Sequence, residues 1–190
     1  MLPFSRWREK LPKADGGGTA GNSPLSIRHA RRRAAHNPPR MPKRSAGILL
    51  YKRIAGELLV LLAHPGGPFW QKRDVGAWTI PKGEFDADEM PEDAARREFR
   101  EELGIDAIGP LQPLGEVTQK GGKRVTAFAL EGDFDVSALR SNTFDLEWPP
   151  RSGSIVAFPE VDKVEWMTLE TARKKILPGQ SPLLERLADS

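Results

Sequence analysis

Three glutamates lie on one face of a predicted helix in the middle of the chain. Glu98, Glu101 and Glu102 are spaced i, i+3 and i+4, so they fall within a single arc of an α-helix. Like charges at this spacing destabilise an isolated helix by about 0.2–0.5 kcal/mol per pair, and a bound cation would offset that repulsion. Carboxylate oxygens without Cys or His favour Mg²⁺ or Mn²⁺ over Zn²⁺. The spacing alone leaves two interpretations open, a metal site and a solvated acidic face, and without further evidence the solvated face is the better one.

The helix that carries these acids has clear boundaries in the sequence. Pro91 suits the first helical turn, where its missing N–H costs nothing, and Gly104 suits a left-handed C-terminal cap. Apolar side chains recur beside the acidic arc at the spacing i, i+4 and i+8: Ala95, Phe99 and Leu103. This pattern predicts an amphipathic helix with one side in a core and the other available for chemistry.

The residues around this helix fit a long family pattern. The stretch from Gly83 to Ile105 resembles the signature of the Nudix hydrolases, G-x5-E-x7-R-E-U-x-E-E-x-G-U, in which U is a bulky aliphatic residue. Phe99 is the one departure, and an aromatic side chain keeps that position apolar. The other positions match at the same spacing: Gly83, Glu89, Arg97, Glu98, Glu101, Glu102, Gly104 and Ile105. The resemblance implies an α/β fold, a sandwich of the α/β/α type with a mixed sheet, over residues 43–188.

The resemblance also implies a metal-dependent hydrolase. Its reaction would be cleavage of a pyrophosphate bond in a nucleoside diphosphate linked to another moiety. Glu98, Glu101 and Glu102 would hold Mg²⁺ or Mn²⁺, with the carbonyl of Gly83 as a further ligand, and Glu98 and Glu101 would act in catalysis.

Supporting roles follow from the same resemblance. Arg97 would pair with Glu89 and hold the loop that precedes the helix, and Lys82 would lie beside the polyphosphate. Members of the family often recruit a general base from outside the signature, which makes Glu147 a candidate. For Lys82 and Glu147 the alternative is an ordinary surface side chain.

A second candidate site is the loop from His64 to Asp74, which is too rich in Pro and Gly for a regular element. Trp70 is suited to stacking on a nucleobase, and Lys72 or Arg73 to contacting phosphate. A cap on the hydrophobic core is an equally good interpretation of Trp70. His64 is expected to be structural.

The remaining chain alternates strands with a few helices. Residues 53–56 are expected to join the first two strands as a hairpin, residues 132–153 to form mostly loop, and Thr168 to cap the first C-terminal helix. The predicted strands are 46–51, 58–63, 76–80, 115–118, 124–131 and 164–167, and the predicted C-terminal helices are 169–176 and 181–187. This order predicts a mixed α/β domain.

The N-terminal segment differs in composition from the rest. Residues 1–40 hold nine basic and two acidic side chains, a net charge of +7, so within the total of +3 the remaining residues carry −4 and are acidic. We interpret residues 1–42 as a basic, Pro- and Gly-containing disordered tail. A transit peptide and an extension upstream of a start at Met41 are the alternatives. Contact with nucleic acid is expected only through this tail.

The composition excludes several kinds of site and indicates a cellular compartment. The 190 residues include no cysteine, which excludes disulfides, thiol catalysis and Cys-ligated metals and fits a cytoplasmic protein. No apolar run is long enough to span a membrane, so no membrane partner is expected. The expected partner is a nucleotide polyphosphate substrate.

The substrate is the least determined feature. The run Gly76–Glu84, GAWTIPKGE, resembles dinucleoside polyphosphate hydrolases, which makes a dinucleoside polyphosphate or a nucleoside triphosphate the first choice. ADP-ribose or another sugar nucleotide, oxidised nucleotides and capped RNA ends remain open. A Nudix-like domain that senses a nucleotide without cleaving it is a different class, and the intact Arg97-Glu98 and Glu101-Glu102 pairs count against it.

Overall fold

A long antiparallel hairpin forms the centre of the fold. The computed structural model describes residues 43–190, and the predicted tail of residues 1–42 lies outside the described residues. β1 (Arg44–Ile54) and β2 (Glu57–Pro65) are joined by Ala55 and Gly56 alone. Both turn residues have positive φ, 51° and 86°, as a type I′ turn requires. The predicted hairpin is confirmed, with a shorter turn than expected.

The other elements extend this hairpin into a mixed sheet. Its strand order is β4-β5-β1-β2-β8 with β3 also paired to β1, and only the β1–β5 pair is parallel. The remaining strands are β3 (Lys82–Glu84), β4 (Gln112–Thr118), β5 (Arg124–Glu131), β6 (Thr143–Glu147), β7 (Ile155–Pro159) and β8 (Val161–Thr168).

Helices cover both faces of the sheet. They are α1 (Pro91–Leu103), α2 (Leu169–Lys175) and α3 (Ser181–Ala188). Alternate β1 residues Ala46, Ile48 and Leu50 pack in one core with α1, whereas Leu49 packs in the other core with α2 and α3. The predicted α/β/α sandwich is confirmed.

The helix boundaries follow the sequence signals. Pro91 begins α1, and Gly104 ends it at φ 83° with its N–H donating to the carbonyl of Arg100. A side chain at position 104 would also meet Arg140, whose Cβ lies 2.5 Å from the ideal Cβ position. Thr168 caps α2 by accepting a hydrogen bond from the N–H of Thr171. No helix within residues 43–190 has the length and apolar character needed to cross a membrane.

One predicted strand was wrong, and one segment predicted to be mostly loop contains a short strand. Residues 76–80 form isolated bridges rather than a strand, because the buried side chain of Gln180 takes the N–H of Ile80 at 3.0 Å in place of a neighbouring strand. Residues 132–153 are mostly loop, as predicted, but they include β6, which pairs with β7 in a separate two-stranded sheet. The partner strand β7 begins beyond the segment that was predicted to be loop, so the local sequence gave no hairpin signal.

Candidate active site

The three-residue strand β3 lies between β1 and the acidic face of α1. Alternate residues of β3 and its flanks form main-chain hydrogen bonds to β1. Just outside the strand, the carbonyl of Pro81 accepts from Ile48 N at 3.0 Å, and Phe85 N donates to Arg44 O at 3.3 Å. The main-chain groups of Lys82 and Glu84 therefore face away from β1 and toward α1. Gly83 pairs with Ala46, so its own main-chain groups point into the β3–β1 ladder. The role of Gly83 as a metal ligand stays a prediction.

Arg97 is the centre of the acidic cluster. Its guanidinium donates to both carboxylate oxygens of Glu89 at 2.9 Å, and Nη1 contacts Glu98 and Glu101. Nη2 also reaches the carbonyl of Glu84 at 3.4 Å. The hydrogen bonds that Arg97 donates to Glu89 outweigh burial and raise the pKa of Arg97. The predicted Arg97–Glu89 pair is present and ties the loop before α1 to the helix.

The three signature glutamates differ in their surroundings. Glu98 is fully buried, Glu102 is 3% exposed, and the Glu101 side chain is 19% exposed. Glu102 accepts a hydrogen bond from the N–H of Lys82 at 3.0 Å, which joins α1 directly to β3. The structure thus brings these glutamates, Arg97 and β3 together, as the sequence predicted.

The donor set suits a hard divalent cation, although the side chains are not arranged around one. Within residues 43–190, no three Asp, Glu or His side chains are placed to hold a metal ion as they stand. We attribute this to Arg97, whose Nη1 contacts both Glu98 and Glu101. Carboxylate oxygens remain the ligands that Mg²⁺ prefers. A metal ion would therefore have to draw Glu101, the most accessible of the three, away from the guanidinium.

Lys82 is not a surface lysine. It is 3% exposed, and its Cβ lies 2.4 Å from where a side chain at Gly47 would begin. Only glycine at position 47 lets the two strands carry Lys82 in this place. Lys82 pairs with Gly47, which lies on the same side of β1 as Leu49, so its side chain starts from the face of the sheet opposite α1.

The loop after β2 carries the other predicted substrate residues. Trp70 is half-buried against the core of α2 and α3, and the guanidinium of Arg73 lies 5.6 Å from the centroid of its ring. Lys72 is exposed. Packing against the core is thus observed for Trp70, and its stacking on a nucleobase stays a prediction, as do the phosphate contacts of Lys72 and Arg73.

His64 fastens this loop to the sheet, as expected of a structural histidine. The buried ring lies 2.8 Å from Asp162 through Nδ1 and 2.7 Å from the carbonyl of Arg73 through Nε2. Burial lowers the pKa of His64, but the hydrogen bonds to Asp162 and Arg73 outweigh burial and hold the pKa above its ordinary value. Both partners are acceptors, which favours the doubly protonated ring.

Two further carboxylates lie outside the signature. Glu147 is exposed at the end of β6 and accepts a hydrogen bond from Gly153 N at 2.8 Å within its own hairpin. Glu160, which the sequence did not single out, is only 7% exposed. Its N–H donates to Asn142 O, and Asn142 N donates to the carbonyl of Glu101. Two main-chain hydrogen bonds through Asn142 thus connect Glu160 to α1. Glu147 lies further from this connection, because it is five residues beyond Asn142 in the sequence.

Comparisons with known proteins agree with this geometry. A family model described as the NUDIX domain matches residues 41–187. RNA pyrophosphohydrolase of Acidiphilium cryptum is 31% identical over 166 residues, which cover 78% of this chain and 89% of that protein. An Ap4A hydrolase of C. elegans, solved as a binary complex, superposes with a TM-score of 0.53 at 24% identity and covers 76% of this chain and 96% of its own. The NUDIX domain of Shewanella oneidensis NrtR complexed with ADP ribose gives 0.54 at 16% identity, over 82% and 94%. At these identities the two structures show a shared fold.

Proposed function

Because this chain belongs to the Nudix hydrolase family, we propose that it is a metal-dependent pyrophosphohydrolase that cleaves a pyrophosphate bond of a nucleoside 5′-polyphosphate. The observation that carries the proposal is the face of α1. Glu98, Glu101 and Glu102 lie there beside the outward main chain of β3, with Arg97 bonded to two of them. A pure nucleotide sensor has no need of such a face.

We assign the metal to this face. Glu98, Glu101 and Glu102 would hold Mg²⁺ or Mn²⁺, with the carbonyl of Gly83 as the predicted further ligand. The ion supplies neutralisation of the polyphosphate charge and polarisation of the bond to be cleaved. Glu101 would move most, because it is the most accessible of the three and Arg97 holds it at 3.4 Å.

The chain's own side chains would position the other groups. Arg97 keeps Glu89 and the carbonyl of Glu84 fixed, so the loop before α1 and strand β3 keep their spacing. Lys82 and the loop residues Trp70, Lys72 and Arg73 lie on or next to the face of the sheet opposite α1. We propose that they contact the substrate on that side.

The general base is proposed to be a carboxylate outside the signature. Glu147 was the candidate from sequence, and the buried Glu160 is the stronger candidate from structure, because its main chain is linked through Asn142 to Glu101. A buried carboxylate on a segment linked to α1 is better placed to take a proton from an attacking water than an exposed one at the end of β6.

The substrate proposal weighs two chemistries. The curated relative is named RNA pyrophosphohydrolase, which favours the 5′-triphosphate end of RNA. The solved structure of similar fold is named Ap4A hydrolase, which favours a dinucleoside polyphosphate. The two share a nucleoside 5′-polyphosphate, so the activity is proposed at that level, with RNA as the first substrate to test.

The test is hydrolysis by the purified full chain with Mg²⁺. The panel contains a 5′-triphosphorylated RNA oligonucleotide, diadenosine tetraphosphate, the nucleoside triphosphates and ADP-ribose, each with and without EDTA. We expect phosphate or pyrophosphate release from at least one polyphosphate, abolished by EDTA and by Glu101→Gln. Binding of these nucleotides without any cleavage would contradict the proposal and favour a sensor.

A further inference from the structure

Three strands bring two lysines and a glutamate together beside the proposed active site. Lys123 Nζ donates to Glu84 Oε1 at 2.9 Å, and Lys43 Nζ lies 3.4 Å from the same oxygen. The two lysines directly precede β5 and β1, and Glu84 ends β3. All three side chains are largely buried, and burial raises the pKa of Glu84 while the two lysines lower it to a value below normal.

The strand register places this group on the sheet face opposite α1. Ser45 pairs with Glu84 on β3 and with Val125 on β5, so these three side chains share a face. Val125 belongs to the core of α2 and α3, which identifies the face. Lys43 and Lys123 each lie two residues upstream, on the same side. Lys82 also lies on this side, because it pairs with Gly47, two residues after Ser45.

Two features of this face point to an anionic ligand. Lys43 and Lys123 bring two ammonium groups to one carboxylate, that of Glu84. The hydroxyl of Ser45 is fully buried, and within residues 43–190 its oxygen has no hydrogen-bond partner. A buried hydroxyl without a partner is destabilising unless a ligand supplies the hydrogen bond. A phosphate group would accept hydrogen bonds from the hydroxyl and from both ammonium groups.

We propose that Lys43, Ser45, Glu84 and Lys123, here called the lysine clamp, bind a phosphate group of the substrate that lies away from the bond to be cleaved. The carboxylate of Glu84 occupies the two lysines until that phosphate displaces it. This proposal rests on the proposed function for the identity of the ligand. The main chain of β3 faces the α1 acids and the side chain of Glu84 faces the clamp, so a polyphosphate can extend from one to the other around this strand.

The consequence is a preference for substrates with longer phosphate chains. A substrate whose phosphates reach only the α1 acids leaves the Lys123–Glu84 pair intact and gains nothing from it. A longer phosphate chain reaches the clamp, where one of its phosphates, which carries more negative charge, replaces the carboxylate of Glu84 at the same lysines. Glu84 thus acts as an internal competitor that sets specificity.

The test measures binding of inorganic tripolyphosphate to the full chain by calorimetry in EDTA, where the metal face contributes nothing through a cation. Lys123→Gln should weaken binding about tenfold or more, since it removes a charge-assisted hydrogen bond. Glu84→Gln should tighten binding by a similar factor, because a neutral amide competes less well for the lysines. Lys120→Gln, the same charge change in the same turn, is the matched control and should have no effect.

The opposite signs separate the clamp from simple structural damage, which would weaken binding in both variants. Glu84→Gln keeps a hydrogen-bond acceptor for Lys123. If Lys123→Gln fails to fold, the binding result for Glu84→Gln alone decides whether the clamp is correct. With a hydrolysed substrate and Mg²⁺, Lys123→Gln should raise KM and leave kcat nearly unchanged. Unaltered tripolyphosphate affinity in both variants, or weakening in both, would overturn the clamp. If the wild-type protein hydrolyses none of the substrates, the proposed function is wrong. The calorimetric result would still decide whether the clamp is correct.

Discussion

A single guanidinium alters the electrostatic argument for a metal. The spacing of Glu98, Glu101 and Glu102 predicts repulsion that a bound cation would relieve, and in the structure Arg97 already supplies a cation to two of them. The acidic face is therefore stable without metal, and an incoming ion competes with Arg97 rather than filling a gap. Binding of Mg²⁺ is expected to be correspondingly weak in the absence of substrate phosphates.

Replacing Glu101 with Gln should separate activity from stability. The amide can still accept from Arg97, so the thermal midpoint without metal should change little. One ligand is lost, so turnover should fall by at least about 100-fold. The wild type should gain stability from Mg²⁺ by mass action, and the variant should gain less. Melting curves at several Mg²⁺ concentrations, with hydrolysis rates beside them, measure both effects.

The matched control for this experiment is Glu92→Gln, which lies on the same helix and pairs with the half-exposed Arg96. It should leave metal-dependent stabilisation and turnover unchanged. If Glu101→Gln behaves like this control, the acidic arc is a solvated surface and the metal assignment fails.

The two candidate bases can be compared with equally conservative substitutions. Glu147→Gln keeps an acceptor for the N–H of Gly153, so any loss of rate reports on the proton and not on the hairpin. We expect Glu160→Gln to lower kcat by about 10²–10⁴-fold and Glu147→Gln to lower it less than threefold. The pH dependence of kcat should lose its acidic limb in the variant that lacks the base. A larger loss at Glu147 than at Glu160 would restore the candidate drawn from sequence.

The site residues differ in how far the sequence could reveal them. The acidic arc and the Arg97–Glu89 pair follow from spacing and from the family pattern, and the structure brings them together. The burial of Lys82 depends on Gly47 across the strand, which local sequence does not disclose. The lysine clamp depends on contacts between residues 39 and 41 positions apart, and the link from Glu160 to α1 depends on main-chain hydrogen bonds through Asn142, so no local pattern could have identified them.

At the scale of elements, the loop after β2 is held in part by His64, a titratable side chain. His64 lies in β2, and its ring contacts Asp162 of β8 and the carbonyl of Arg73 in the loop. Lys163 opposes protonation, and Asp162 favours it. Because the pKa is raised in the folded state, the stabilisation is full below the ordinary value of about 6.5 and is lost as pH rises through the raised pKa.

This sign gives a measurable pH dependence. Between pH 6 and pH 8.5 the thermal midpoint of the wild type should fall by more than that of His64→Gln, which lacks the titrating ring. The affinity for substrate should weaken over the same range, since the loop carries Trp70, Lys72 and Arg73. Parallel midpoint curves for the two proteins would show that His64 does not titrate in this interval.

Element prediction succeeded where patterns are local and failed where tertiary contacts decide. The helix caps at Gly104 and Thr168 and the β1–β2 hairpin follow from turn and capping chemistry. Residues 76–80 have β-rich composition, yet their hydrogen bonds go to Gln180 and to single bridging residues. β6 was missed because its partner is separated from it by seven turn residues, and a two-stranded ribbon has only a weak signal of its own.

For the whole molecule, the basic segment is expected to be dispensable. Residues 1–40 have no apolar periodicity in sequence that would pack on the domain, and the family match begins at Met41. A chain that begins at Met41 should keep the thermal midpoint and the specific activity of the full chain. Differential scanning calorimetry and the hydrolysis assay check this. A midpoint lower by several degrees would show that the segment contributes to the fold.

The β6–β7 ribbon offers a natural point of division. It is joined to α1 at its base, through Arg140 N to Leu103 O and Asn142 N to Glu101 O, while its turn around Arg151 is exposed. A chain divided after Arg151 would leave the glutamate face and the lysine clamp on one fragment, and β8 with α2 and α3 on the other. The second fragment would dock along β2, which pairs with β8 from Leu59 to Pro65. If each fragment is inactive alone and is fused to one of two proteins that bind each other, their association should bring the fragments together and restore hydrolysis. Recovered hydrolysis would then report that the two proteins interact.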